Sequence, residues 1–436
     1  MTDEQGRRIS RRRFITAGGA AVAGAALAPR IVSAEEARTL RKPKKVRIGV
    51  VGGRFGCAFQ WHEDPGCVVQ AVSDLREDRL KNLVNAYKCD TTYPSLEELI
   101  KARDIDAVAV FTPAPDHVRH CVKALKAGKH VICAVPAAMT IDECEELLET
   151  VQKTGLTYMM AETSYFHQAM ISARKWHEKG AFGEIFYTEA EYHHPGLEVL
   201  YVEDGQRTWR YGLPPMNYPT HCTAFLVGLT GERLTEVTCI GWGDDSQYVK
   251  DNVYKNPFWN ETAMFKTDKG HAMRVAVYWY GSMRGTERAQ WYGTKMSFFE
   301  PDPNGLGPII VRRGGQKEKD TAGFERDLPE FEQYDQPAWW ETMLPEPMRH
   351  GGGHDGAEPF LTHEFVEAIA KGRRPAIDVY EALAYTAPGI IAPRRSRGCL
   401  CHRTNDCSSS RQQELVAYEA VHELSLIHIS EPTRPY

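Results

Sequence analysis

The chain lacks a long apolar run. Its N-terminal stretch of small apolar residues, Thr16 to Ala28, falls short of the ~20 residues that a membrane-spanning helix needs. A basic stripe is missing too: the arginines cluster at the two ends and do not interleave with aromatics, which removes the electrostatic footprint of a nucleic-acid binder. Cysteines are present, eleven of them, but not in paired spacing. Cys57, Cys67, Cys89, Cys121, Cys133, Cys144, Cys222 and Cys239 stand singly among apolar or small neighbours, where a thiol reads as a buried side chain. Only Cys399 and Cys401 are close, and one CxC without a second pair makes neither a zinc site nor a disulfide framework. No internal repeat appears. What remains is a chain of 436 residues, 42% hydrophobic, 25% charged and of net charge -5, the profile of a soluble globular protein of roughly two domains.

Both termini stand apart from that body. Ser10 to Thr16, SRRRFIT, precedes the small apolar run and then VSAEEA, with a small-residue cleavage point after Ala34. This resembles a twin-arginine export signal, so residues 1–34 are expected to direct the folded protein to a bacterial periplasm. At the other end, residues 393–436 show no apolar periodicity, and LSLIHISEPTRPY resembles a sequencing-library adapter read as protein. The reading frame is therefore expected to depart from the natural gene near Pro393.

From Lys45 onward short apolar segments alternate with helical ones. VRIGVVGG, VVQAVSD, AVAVFTP, HVICAVP and TYMMAET read as buried strands, separated by stretches such as EDRLKNLVNAY and DHVRHCVKALKAG. That alternation predicts a doubly wound parallel sheet of Rossmann type over residues 44–165. After about Tyr165, segments of strand character (EIFYTEAEYHH, RLTEVTCIGW, ETAMFKTD, AMRVAVYWYG, GTKMSFFE) predict an α/β domain with a mostly antiparallel open sheet over residues 166–392. Pro301 to Gly353, rich in Pro, Gly and charge, reads as an extended excursion between strands and a closing helix.

The first strand runs into Gly52, Gly53, Arg54, Phe55 and Gly56, one residue short of the GxGxxG spacing that turns a chain tightly under a pyrophosphate. A strand before it, a helix expected after it, and Asp74 closing the second strand 18 residues beyond Gly56 favour a dinucleotide reading. Asp74 suits the ribose hydroxyls of NAD, while Arg76 leaves NADP open.

Gly128 to Thr140, GKHVICAVPAAMT, together with Thr112, Pro113 and His117, resembles the Gfo/Idh/MocA family of sugar and cyclitol oxidoreductases. The resemblance covers about Lys44 to Ala392. It implies NAD(P) held by the glycine loop, Asp74, Thr112, Pro113, His117, Val135 and Pro136, a carbohydrate or cyclitol substrate, and a homo-oligomer. The family usually carries Glu-Lys-Pro where this chain has Ala134, Val135 and Pro136, so the lysine that manages protons beside the nicotinamide is replaced by valine. Asn217, His221 and Ala224 fall on the family's Asp-x-x-x-His-x-x-Asp positions, and only the histidine is kept. His221 is then expected to serve as acid/base, with Asn217 beside it and Glu162 or Tyr165 covering for the lysine. If the protein is exported, its dinucleotide must be non-dissociating and be reoxidised on the enzyme. The leading expectation is an exported oxidoreductase acting on a sugar, sugar derivative or cyclitol. The substitutions also fit a glycoside hydrolase or lyase with altered or no redox chemistry, or an inactive sugar-binding protein.

Glu189, Glu191 and His193 share one face of a strand and, with His194, form a grouping able to hold a divalent ion. Such a grouping is more often a solvated sheet face, and no metal is assigned. Trp209, Tyr278, Trp279 and Tyr280 could stack on sugar rings or pack in the core.

Overall fold

The computed structural model describes residues 45–302 and 305–400. The export signal and most of the aberrant tail expected from the sequence lie outside the described residues.

Six parallel strands form the first sheet in the order β3-β2-β1-β4-β5-β6. They are β1 (Val46–Val51), β2 (Cys67–Ser73), β3 (Thr92–Tyr93), β4 (Ala107–Val110), β5 (His130–Cys133) and β6 (Tyr158–Met160). Val46, Ile48 and Val50 in β1, all of β4 and the last three residues of β5 are buried, as a sheet covered on both faces requires. The strand order reverses between β1 and β4, so a crevice opens at their carboxyl ends. Local signals fix the helices. In Ile141–Thr154 the Thr140 hydroxyl and Glu143 carboxylate form a capping box, and Gly155 ends the helix with a φ of 64°.

One sequence expectation fails next to the crevice. No α-helix follows the glycine loop; Phe55–Ala58 is a single 3-10 turn. Only ten residues separate Gly56 from Cys67, and they include Pro65 and Gly66, too few for a helix and a return connection. Aromatic packing fills the gap, with Phe59 stacked on both Trp61 and Phe111. A helix from far along the chain, Gly353–Lys371, covers this side of β1. Its Thr362 hydroxyl accepts from Gln60 N at 3.3 Å, and its His363 Nδ1 lies 2.8 Å from Asp64 Oδ2.

After a small two-stranded ribbon, β8 (Val202–Glu203) with β9 (Gln206–Arg207), the second sheet has eight strands in the order β10-β11-β12-β7-β13-β14-β15-β16, of which β10 is Leu234–Trp242, β11 Asn260–Thr267 and β14 Met296–Phe299. All its pairings are antiparallel except β7 (Ile185–His193) with β12 (Ala272–Tyr278). The helix Thr220–Thr230 lies on its inner face, where Trp291 Nε1 donates to Phe225 O at 2.8 Å. The stretch read as an excursion supplies two further strands, β15 (Ile309–Lys319) and β16 (Glu325–Gln333). Both are largely exposed and charged, so neither carries the apolar alternation that marks a half-buried strand; backbone pairing and ion pairs such as Arg326–Glu318 at 3.1 Å hold them together. TERAQWYG was also missed and forms β13 (Thr286–Gly293).

The helix Val379–Leu400 returns to join the two domains. Ile377 O accepts from Met160 N at 3.0 Å, Thr386 Oγ1 accepts from Ala137 N at 3.3 Å, and Glu381 pairs with the buried Arg233 at 2.7 Å. The crevice is thus bounded on one side by the parallel sheet and on the other by β7 and the helix Thr220–Thr230.

Candidate active site

A cavity of about 1060 Å³ lies at the carboxyl ends of β1 and β4 and continues to the inner face of the second domain. On the parallel-sheet side its lining includes Gly52, Gly53, Arg54, Phe55, Asp74, Thr112, Pro113 and Val135, but not Gly56. Gly52 has a φ of 105°, and a methyl group there would come within 2.3 Å of Phe111 O; one on Gly53 would come within 2.1 Å of Arg79 O. These glycines let the loop turn between two neighbouring segments. Asp74 holds the turn, accepting from Gly53 N at 2.7 Å and from Arg76 N at 2.9 Å. Its oxygens keep lone pairs for ribose hydroxyls. Arg54 and Phe55 line the cavity beside Asp74, at the turn where a dinucleotide's phosphates would pass. The residues present therefore fit a dinucleotide.

His117 does something else. It is buried, with Nδ1 2.8 Å from Pro136 O and Nε2 2.8 Å from Thr112 O, so it ties together the two loops that carry the family motifs and offers no nitrogen to the cleft. Pro136 forms the cis bond with Val135 and is buried behind it. Val135 alone of that pair lines the cavity, so a valine side chain stands where the resemblance implies a lysine.

Across the cavity stand Thr163, Tyr192, Trp209, Arg210, Tyr218 and His221. His221 is 6% exposed and projects from the first turn of its helix. Its Nδ1 lies 2.8 Å from Glu162 Oε1 and 3.4 Å from Glu287 Oε1, which leaves Nε2 as the ring nitrogen for a ligand. Glu287 also sits 3.2 Å from His167 Nε2 and accepts from Thr163 Oγ1 at 3.3 Å and from Ser164 Oγ at 2.5 Å. Burial alone would drive His221 towards neutrality, but Glu162 and Glu287 hold its pKa well above the usual 6.5. His167 is likewise raised to about 9 against burial, chiefly by Glu287. Glu287 itself is kept well below the carboxylate range by the two histidines, despite the opposing effect of burial. His221 is accordingly an imidazolium at neutral pH, a proton donor at Nε2, and not the neutral base that an unperturbed histidine would be.

Two expected members of the site are not in it. Tyr165 packs in the core, its ring under the Arg174 guanidinium at 4.0 Å and against Gly228. Asn217 ends a 3-10 turn and does not line the cavity; the next residue, Tyr218, does. Glu162 has no exposed surface and reaches the cavity only through His221. Of the aromatics, Trp209 lines the cavity, Trp279 is core, and Tyr278 stacks on His193 outside it.

The Glu189 and Glu191 grouping is occupied by guanidinium groups. Arg274 Nη2 lies 2.7 Å and 3.0 Å from the two carboxylates, and Arg288 Nε 3.2 Å from Glu191. Glu162, His221 and Glu287 place one ligand atom each within 4.8 Å of one another. The imidazolium already supplies the positive charge between those two carboxylates.

Sequence reasoning missed Glu287 and His167. Nothing in their spacing marks them: Glu287 is the second residue of β13 and pairs with Tyr192 of β7, and His167 precedes the helix Gln168–Glu178. Their coupling has a consequence for stability. The contribution of His167 is full below ~6.5 and is lost as pH rises through about 9. Glu300, raised by burial to about 8, also favours the folded state only while protonated. Thermal denaturation should show a Tm that falls by several degrees between pH 6.5 and 9.5, and His167→Gln should flatten that decline. A Tm independent of pH over this range would contradict the network.

Residues 46–162 match the model of the Gfo/Idh/MocA oxidoreductase family, described as an NAD-binding Rossmann fold. A glycosyl hydrolase family 109 protein of Solibacter usitatus is 29% identical over 382 residues, covering 80% of this chain and 84% of that protein. A protein of the same description from Streptomyces coelicolor is 25% identical over 433 residues, covering 87% of this chain and 90% of its own. Among solved structures, UDP-N-acetylglucosamine 3-dehydrogenase from Acidithiobacillus ferrooxidans superposes with a TM-score of 0.59 at 19% identity, over 82% of this chain and 99% of that one. The apo scyllo-inositol dehydrogenase of Lactobacillus casei gives 0.61 at 17% identity, over 82% and 97%. These structures share the fold. From Val46 to Glu162 the chain is thus similar to the NAD-binding Rossmann domain of the Gfo/Idh/MocA oxidoreductase family.

Proposed function

We propose that the protein is a nicotinamide-dependent glycoside hydrolase, a member of the oxidoreductase fold that cleaves a glycosidic bond through a redox-neutral cycle with a retained dinucleotide. The observation that carries this reading is the proton economy of the cleft. The position of the expected lysine is Val135, while His221 is buried as an imidazolium between two carboxylates. Relatives described as glycosyl hydrolase family 109 proteins, similar over most of the chain, support the hydrolytic class.

The dinucleotide, when bound, supplies reversible hydride transfer at a ring carbinol, which makes the neighbouring C–H acidic enough for the anomeric substituent to be eliminated and replaced by water. The chain's own residues manage position and protons. Gly52, Gly53, Arg54 and Phe55, with Asp74, would hold the dinucleotide. His221 Nε2 donates to a sugar oxygen, and Glu162 fixes the ring by accepting from Nδ1. Tyr192, its phenol pushed well above the ordinary range by burial and the neighbouring Tyr218 and Glu287, stays neutral and donates as well. Trp209 offers an apolar wall for a sugar ring. Asp74 favours NAD, and Arg76, hydrogen-bonded to Asp78 and Asp204, is less available for a 2′-phosphate. Export through the SRRRFIT segment is part of the proposal, because a periplasmic enzyme must keep its dinucleotide.

A second reading, net oxidation of a polyol, draws on the dehydrogenases of the same fold. One preparation separates the two. Natively purified protein, denatured in acid or detergent, should release about one NAD(H) per chain and should beforehand hydrolyse a chromogenic glycoside without added cofactor or acceptor. Retained dinucleotide with turnover only in the presence of an external electron acceptor would establish the second reading instead.

A further inference from the structure

Near the glycine loop the backbone takes a costly course. His354 and Asp355 adopt left-handed conformations, with φ of 44° and 54°, and Gly356 follows at 78°. Such a conformation is unfavourable at a non-glycine residue and persists only where the surroundings impose it. Here they do. Asp355 Oδ2 accepts from Gln168 N at 2.8 Å, and Asp355 O from Gln168 Nε2 at 3.0 Å. Trp340 packs so closely on Gly356 that a methyl group would come within 2.5 Å of it.

The turn delivers His354 to the cavity. Its ring meets Phe55 of the glycine loop edge-on at 5.5 Å, and it lines the same cavity as Gly52, Gly53 and Val135. Its Nδ1 lies 2.6 Å from Glu358 Oε1. Glu358 has no exposed surface, and its other carboxylate oxygen has no partner among the described residues. With Nδ1 committed to a buried carboxylate, the ring is fixed and Nε2 is the nitrogen left for a ligand. The segment belongs to the helix that occupies the flank of β1 where the expected helix is missing.

We infer that His354 is a dinucleotide-positioning residue, hydrogen-bonding the cofactor through Nε2 where it crosses Gly52 to Phe55, with Glu358 orienting the ring. The inference rests on the nicotinamide reading of the cavity. It gives the strained turn a purpose: a contact brought from the far end of the chain to a glycine loop that has no helix of its own.

The test is NADH binding to dinucleotide-free full-length protein, followed by NADH fluorescence and by the Tm shift on saturation. Three variants separate a ligand contact from a structural one. His354→Ala removes both nitrogens; His354→Asn keeps a donor near Nδ1 for Glu358; His354→Gln keeps a polar group near Nε2. A ligand contact predicts NADH affinity weakened on the order of tenfold in the Ala and Asn variants and largely restored in the Gln variant. All three variants within about threefold of the wild type, or rescue by Asn but not by Gln, would overturn the inference. Should the Ala variant not fold, the Asn and Gln pair decides alone. If the wild type binds neither NADH nor NADPH, the cofactor reading itself falls, a different outcome from variants that bind as well as the wild type.

Discussion

His221→Asn is expected to lower kcat for glycoside cleavage by about two to four orders of magnitude, the range for loss of a positioned proton-transfer group, with a smaller fall in Tm than His221→Ala. The choice of asparagine matters. Glu162 and Glu287 approach the same Nδ1 at 2.8 Å and 3.4 Å, so His221→Ala would leave the buried Glu162 and the mostly buried Glu287 without their cation and destabilise the fold by about 3 kcal/mol. Asparagine also removes the positive charge but keeps a donor near Nδ1 for one carboxylate, so it should cost less stability than alanine, and kcat measured on the folded fraction reports on the loss of Nε2. The pH profile supplies the second readout. Because the carboxylates hold the imidazolium well above the usual histidine range, the alkaline limb of kcat should lie above ~6.5. Glu162→Gln should move that limb downward, since one of the raising charges is gone. An alkaline limb unaffected by Glu162→Gln, or full activity in His221→Asn, would remove His221 from the mechanism.

Much of the architecture could be read from local pattern. β1, β2, β4, β5 and β6 announce themselves as short apolar runs because a parallel sheet is covered on both faces, and Thr140 with Glu143 marks a helix start by its own capping geometry. The helix expected after Gly56 was wrong for a reason of length. The family pattern supplied an element that the ten residues before Cys67 cannot accommodate. β15 and β16 were invisible because backbone pairing, not side-chain burial, holds them.

The site divides in the same way. Residues on the strand ends and loops of the first domain, such as Gly52 and Asp74, could be named from spacing because short connections fix them relative to one another, and Thr112 from the family stretch it resembles. His221 was legible only through its register in a motif. Its partners were not, since Glu287 comes from β13 and His167 from the segment before a different helix; only packing the helix Thr220–Thr230 onto the second sheet brings them to one imidazole. Tyr165 shows the converse error. It follows a strand end closely in sequence, yet Arg174 and Gly228 claim its ring for the core.

Hydrolysis carried out in D2O should leave deuterium bound to carbon in the released sugar, about one atom per turnover. The argument is one of chemical necessity. A redox-neutral cycle returns the hydride to the carbon it left, so that position keeps its original hydrogen. The elimination that it enables passes a proton from the adjacent carbon to water in the cavity, and water returns one when the cycle closes. That second proton is exchangeable, and His221, as an imidazolium in contact with the cavity, can draw its replacement from solvent. Direct displacement by paired carboxylates, the principal alternative for a hydrolase, never breaks a carbon–hydrogen bond and leaves the sugar free of carbon-bound deuterium. The cleft is poorly built for that alternative. Glu162 is wholly buried behind His221, and Glu287 is engaged by His167, Thr163 and Ser164, so neither carboxylate faces a scissile bond. Mass spectrometry of the product, with the position assigned by proton NMR, decides between the two. Deuterium-free product from an active, dinucleotide-containing preparation would sink the redox-neutral cycle, whereas deuterium lost together with activity when the dinucleotide is stripped would tie the exchange to the cavity beneath Gly52 and Val135.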